Sequence, residues 1–292
     1  RKRIVVAEDD ADLRELVAAP SRRADIVTQR MTLPDQTLMA VHDTTWPQLG
    51  PQSAKPPTRS FLFGAMGQGT LVLGKDDNAT LATLHWSGSG SHSHRDALNL
   101  NLWAKGTEAI SETQYHPIQG SDSTREWHTS TPGHVTVVVD GLDQGHDGKL
   151  GSRLRKPQPL DAIPGVPDWP WRWTTCAAQD FGTLRLFSTD FREVQVVEAD
   201  AERAYDSVAP VKLYRRTIAL VRIDDQDSYV VDIFRVRGGG TFDYMLHSCL
   251  QYEQKVKVAL ALQPMPGTLF GNLRNLRSAT TGDTWLAAFE LS

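Results

Sequence analysis

What most constrains this chain is a recurrence of short β-prone runs with no helical periodicity between them. Thr70–Leu73, Thr80–Trp86, Leu98–Ala104, Val135–Asp140, Thr183–Phe187, Val194–Glu198, Thr217–Ile223, Tyr229–Val236 and Lys257–Leu262 are rich in Val, Thr, Leu and aromatic residues. Such side chains suit a pleated, half-buried surface. Gly, Asn, Asp and Pro separate the runs and supply the backbone conformations that turns require. Lys75-Asp76-Asp77-Asn78 predicts a hairpin loop, and Gly238-Gly239-Gly240 predicts another tight connection. Leu98-Asn99-Leu100-Asn101-Leu102-Trp103 alternates apolar and polar residues, the signature of a strand with two different faces. Many antiparallel strands without intervening helices bury their apolar faces by stacking sheet on sheet. The pattern therefore predicts an all-β fold, a large antiparallel β-sandwich over residues 58–292.

The first 57 residues read differently. Residues 8–19 predict a short amphipathic helix with Leu13, Leu16 and Val17 on one side. From Pro20 to Pro57 the chain is polar, proline-punctuated and weakly periodic, which predicts an irregular linker. Pro157–Trp173 carries five prolines and three tryptophans, cannot occupy a central strand and predicts a long surface loop. The 292 residues, 40% of them hydrophobic, are ample for one large domain. A net charge of −4, a pI of about 6.1 and scattered basic residues argue against nucleic acid as a partner. No apolar run approaches the ~18 residues of a membrane helix. Cys176 and Cys249 could pair or stay as buried thiols, and two cysteines in this length argue against a disulfide scaffold. Nothing in the composition assigns a cellular compartment.

Chemistry concentrates in Ser91-His92-Ser93-His94-Arg95-Asp96, followed by Glu112 and His134. Two apart, His92 and His94 would share one face of a strand. Glu112 lies near the end of the next candidate strand, and His134 opens Val135–Asp140. Two histidines and a carboxylate on adjacent strands can converge on one cation, in a shell that zinc accepts. A guanidinium grips a carboxylate with two parallel hydrogen bonds, which makes Arg95 and Arg125 candidates for an acidic ligand. Tyr115 lies three residues past Glu112. Asp96 and Asp140 read as turn and strand-end carboxylates, and Asp232 and His247 as structural groups.

These residues, taken in order, resemble a known family. His92-Ser93-His94-Arg95-Asp96-Ala97-Leu98, then Lys105-Gly106 and Glu112, resemble the start of the C-terminal β-sandwich in heparinase II/III-like polysaccharide lyases. The stretch from Trp127 through His134 to Asp140-Gly141-Leu142-Asp143-Gln144 is the strongest likeness. Tyr214-Arg215-Arg216-Thr217, Tyr229–Val236 and Gly239–His247 follow in the family's order, so the resemblance runs from about Leu33 to the C-terminus. It implies cleavage of a uronate-containing acidic polysaccharide or oligosaccharide, such as alginate or a glycosaminoglycan, by β-elimination. It places His92 at a catalytic position, Arg95 and Arg125 by the sugar carboxylate with Tyr115 a substrate-side neighbour, and His94, Glu112 and His134 at the ligand positions of one structural zinc ion. Two departures stand out: Val135 replaces an Asn, and Glu112 replaces the usual Asp. The family's helical toroid, which supplies a Tyr and an Asn or His, has no counterpart in this sequence. The reading is thus a lyase sandwich without its partner domain; the alternative is a non-catalytic carbohydrate- or metal-binding sandwich. Arg3–Val17 separately resembles the opening of a response-regulator receiver domain, without the later strand that ends in a phospho-accepting Asp.

Overall fold

Period-two alternation decides which face of each strand is buried, and two stacked sheets follow from it. The computed structural model describes residues 26–44, 49–51, 53–87, 94–113, 127–145, 182–205, 209–249, 255–258, 260–271, 273–281 and 289–291. Strands β1 (Phe61–Phe63), β2 (Gln68–Leu73), β3 (Thr80–His85), β4 (Asn99–Ala104) and β5 (Thr107–Ile110) form an antiparallel sheet in that spatial order. After β6 (Val137–Val139), strands β7 (Thr183–Ser188), β8 (Val194–Asp200), β9 (Leu213–Arg222) and β10 (Ser228–Arg237) form a second antiparallel sheet in the order β10-β9-β8-β7. β11 (Phe242–Tyr244) pairs with β6, β12 (Val256–Val258) with β15 (Phe289–Leu291), and β13 (Gln263–Pro264) with β14 (Arg277–Ser278). The all-β sandwich expected from the runs is the fold observed. Among the described residues no helix is long and apolar enough to cross a membrane.

The core lies between the sheets. Leu71, Ala82, Leu84 and Leu100 of the five-stranded sheet pack with Val197, Ala199, Ile218 and Leu220 of the four-stranded one. Each large aliphatic side chain buried this way contributes about 1.5–3 kcal/mol. Gly69 marks the close approach of β2 to β8: a Cβ there would stand 3.1 Å from Val197 Cγ2. The hairpin loop expected at residues 75–78 is a 3₁₀ turn over Asp76–Asn78. Gly74, at φ +72°, leaves no room for a side chain, because a Cβ would meet Asn78 O at 2.2 Å.

The other face of the five-stranded sheet is also covered. Leu33 and Met39 pack on Phe61, Val72, Leu81 and Trp103. Met39 Sδ accepts hydrogen bonds from Gln68 Nε2 and Thr83 Oγ1, and Asn101 Nδ2 donates to Ala40 O. Residues 31–44 are irregular, as expected of a linker, but they are an integral cover of the sheet rather than a tether. The reason is two apolar anchors, Leu33 and Met39, too few and too far apart to give a periodic signal. The helix read over residues 8–19, the receiver-like opening and the loop Pro157–Trp173 lie outside the described residues.

One buried cation ties the two sheets together. Arg216 of β9 faces inward with Tyr214, Ile218 and Leu220. Its Nε and Nη2 donate to the two oxygens of Asp232, and Nη2 also donates to Tyr244 Oη. Its Nη1 donates to the carbonyl oxygens of Leu98 and Val135, the residues that precede β4 and follow His134. All five N–H donors of a guanidinium are thereby used.

Candidate metal centre

Three loops on the covered face of the five-stranded sheet meet in one place. His94 lies in a turn leading into β4, where Asn99 N donates to Asp96 O at 2.8 Å and Leu98 N to His85 O at 2.8 Å. Leu98 adopts φ +64°, so the chain just before β4 is a turn; the strand expected at His92–His94 lies mostly outside the described residues. Glu112 follows the end of β5 at Ile110 by two residues. His134 closes a 3₁₀ turn over Thr131–Gly133, just ahead of β6. That turn is pinned by Asp143, which accepts from Thr131 N at 2.8 Å and from Arg95 Nη1 at 2.9 Å.

The expected trio converges. Glu112 Oε1 lies 2.7 Å from His134 Nε2 and 3.1 Å from His94 Nδ1, and the two ring nitrogens are 3.0 Å apart. The outward nitrogens fix the tautomers. His134 Nδ1 faces Ser130 O at 2.7 Å, and a carbonyl can only accept, so Nδ1 carries the hydrogen. His94 Nε2 faces Asp43 Oδ1 at 3.1 Å and donates for the same reason. In their neutral forms the rings turn two lone pairs toward each other and toward a carboxylate. Three electron-pair donors at this separation call for a positive charge between them. Burial alone would strip the charge from His94, yet hydrogen bonds to Asp43 and Glu112 hold its pKa up at about 9, so without a metal ion a proton on Nδ1 supplies that charge. Burial would likewise raise Glu112, but His134 and His94 bring it down to about 2.

The residues fit a zinc-type ion. Two imidazole nitrogens and one carboxylate oxygen give three protein ligands of the kinds that zinc accepts. Each histidine donates its remote N–H to an oxygen, the outer arrangement that orients metal-binding imidazoles. Asn99 extends it: Nδ2 donates to Glu112 Oε2 at 2.6 Å, and Oδ1 accepts from Val135 N at 2.9 Å. Glu112 reaches the histidines from beyond the strand end.

Not every expected residue lies here. His92, Tyr115 and Arg125 lie outside the described residues. Arg95, 5% exposed, pairs with Asp143 and so anchors the His134 turn. Asp140 is a strand-end carboxylate as expected, accepting from Gly240 N and Thr241 N. Asp96 sits in a turn as expected, with its carboxylate buried between His85 and His42. His42, Asp43, His85 and Asn99 were not singled out from the sequence. Only His85 and Asn99 carried a signal, their places on strands whose alternate residues face this side.

Glu108 of β5 borders the cluster and supplies a pH test. Burial first, then Asp35 and Glu112, push its carboxyl up to about 7 from an ordinary value of 4.5. The folded state thus holds this proton more tightly than the unfolded chain does. Its charge begins to cost stability as pH rises past 4.5, and the cost is complete above about 7. Glu108→Gln should exceed the wild type in stability by about 1–3 kcal/mol at about pH 8 and match it at about pH 4. Urea unfolding at both pH values checks this; equal stability at the higher pH would refute it.

The model of the heparinase II/III-like C-terminal family matches residues 55–287. Solved structures share the fold at low identity. Heparinase III superposes with a TM-score of 0.53 at 14% identity, over 89% of this chain and 44% of that one. A second heparinase III structure gives 0.55 at 13%, over 90% and 43%. The heparan sulfate lyase HepC from Pedobacter heparinus gives 0.50 at 15%, over 77% and 33%. The chain spans less than half the length of these proteins. No curated protein matches the sequence significantly. A family match that runs through both sheets and all three members of the buried cluster makes this chain a member of the heparinase II/III-like C-terminal family.

Proposed function

We propose that the chain is the sandwich portion of a polysaccharide lyase acting on a uronate-containing acidic glycan, with one structural zinc ion held by His94, Glu112 and His134. The observation that carries this reading is the buried convergence of those three side chains, two residues from His92, in a sandwich of this family. In β-elimination a base removes the proton at C5 of the uronate. The freed electron pair forms the C4–C5 double bond, and the glycosidic oxygen leaves C4 with a proton from an acid. The C5 proton becomes acidic only when the adjacent carboxylate is neutralised by positioned donors or cations. In this reading His92 is the sandwich histidine that acts on the sugar, two residues before the fixed His94 in the chain. Tyr115 and Arg125 are its companions on the substrate side. The zinc ion locks the three loops together, and the remaining acid/base groups come from the family's helical toroid. Heparinase III and a heparan sulfate lyase among the similar structures support a glycosaminoglycan over alginate. A net charge of −4 means that polyanion affinity rests on local basic residues.

The test is absorbance of the unsaturated uronate product over a panel of glycosaminoglycans and alginate. Product should form with at least one polymer and fall about 10²–10⁴-fold in His92→Ala. No product from any polymer, either from the folded chain or from the chain supplied with a family toroid, would sink the lyase reading.

A further inference from the structure

We propose that His42, His85 and Asp96 form a second divalent-cation site, suited to a zinc-type ion, at the seam between the covering segment and the five-stranded sheet. It is independent of the lyase reading and of the His94 cluster, since it rests on three other side chains. His85 ends β3, Asp96 sits in the turn before β4, and His42 comes from the segment that covers the sheet. Nδ1 of His42 and Nδ1 of His85 each lie 3.2 Å from the same oxygen, Asp96 Oδ2.

Asp96 is the first sign of a ligand. It is 1% exposed, and neither of its oxygens accepts a hydrogen bond among the described residues. The two ring nitrogens are close to it, but without the angle that an N–H donor would need. A buried carboxylate with no donor is costly, and native proteins satisfy it with a partner or an ion.

The tautomers point the same way. Ser87 Oγ stands 3.1 Å from His42 Nε2 and 2.8 Å from His85 Nε2, and its two lone pairs can accept an N–H from each ring. The backbone N–H of His94 donates to His42 Nδ1 at 3.3 Å, a long bond that marks that nitrogen as unprotonated and that a cation would displace. With this pair of tautomers both Nδ1 atoms stand 3.2 Å from Asp96 Oδ2 with no hydrogen between. Two imidazole nitrogens and a carboxylate oxygen form a set that a borderline cation fills, and Ser87 is the outer group that orients both rings.

The two clusters are neighbours and alternate along the chain. His42 serves the second and Asp43 supports the first; His94 serves the first and Asp96 the second. The His42 and His94 rings lie 5.8 Å apart. A cation at the second site would therefore clamp the covering segment onto the sheet beside the first.

The test is zinc content of the whole 292-residue chain, stripped with a chelator and dialysed against zinc. Two equivalents are expected. His85→Gln and Asp96→Asn should each lose one and keep the equivalent that His134→Gln loses. His42→Gln, on the covering segment, repeats the test without touching a strand, and circular dichroism checks folding. One equivalent that is lost in His134→Gln and kept in His42→Gln and His85→Gln overturns the second site and leaves the first. One equivalent with the opposite pattern supports the second site and overturns the first. Two equivalents that survive all of the second-site variants, or no zinc at all, overturn it.

Discussion

Replacing Arg216 by alanine should lower the unfolding free energy by about 3–5 kcal/mol, a large part of the 5–15 kcal/mol typical of a domain. The side chain is fully buried, and burial by itself disfavours its charge; Asp232 and the aromatic hydroxyls around it more than offset this. Truncation would strand the carboxylate of Asp232, which is only 19% exposed, and the carbonyls of Leu98 and Val135 in the core. It would also remove the guanidinium from the face of the Phe234 ring, 5.3 Å away. Lysine is no substitute, because it cannot bind a carboxylate with two parallel bonds while reaching two carbonyls. Methionine would restore volume but leave the same acceptors unpaired. Denaturant unfolding followed by circular dichroism measures the loss. A change below about 1 kcal/mol would mean that desolvation of the guanidinium cancels its bonds. Because Val135 follows His134, the same substitution should weaken zinc binding at the neighbouring cluster.

Chelation is the second large effect. If free zinc stands about 1,000-fold above its dissociation constant, its removal should cost about 4 kcal/mol of stability. The loss is expected because only a proton on His94 would then stand between Glu112 and the two buried imidazoles, whose facing atoms lie about 3 Å apart. Glu112→Gln should abolish that part of the chelator response. Asn99→Ala, which frees Glu112 Oε2 and leaves Val135 N without its acceptor, should weaken zinc binding about 10–100-fold. Thermal melts with and without chelator decide it: an unchanged melting temperature in the wild type would show that a proton, not a metal ion, holds the cluster together.

The site was legible in uneven measure. His94, Glu112 and His134 could be named because their order along the chain matches a family pattern; separations of 18 and 40 residues carry no metal signature alone. The pairing of Arg95 with Asp143 gave no sign, because a guanidinium beside histidines looks the same in a sequence whether it meets a sugar or a buried carboxylate. The pair Arg215-Arg216 shows the opposite case. Alternation along β9 puts Tyr214, Arg216 and Ile218 on one face, so one arginine had to turn inward while Arg215 turned out toward Glu198 and Asp200. Its partners Leu98 and Val135 lie 118 and 81 residues away and could not be read.

By itself the sequence determined the all-β class, the hairpin at residues 75–78 and the glycine-dependent turns, because side-chain direction in a strand and φ in a turn are local properties of the backbone. Only the tertiary structure decided that residues 31–44 cover a sheet, that Asp96 is buried between two histidines, and that His42 and His94 stand side by side. Those outcomes depend on strand register and on the packing of segments about fifty residues apart, where the free energy resides in contacts that no local pattern encodes.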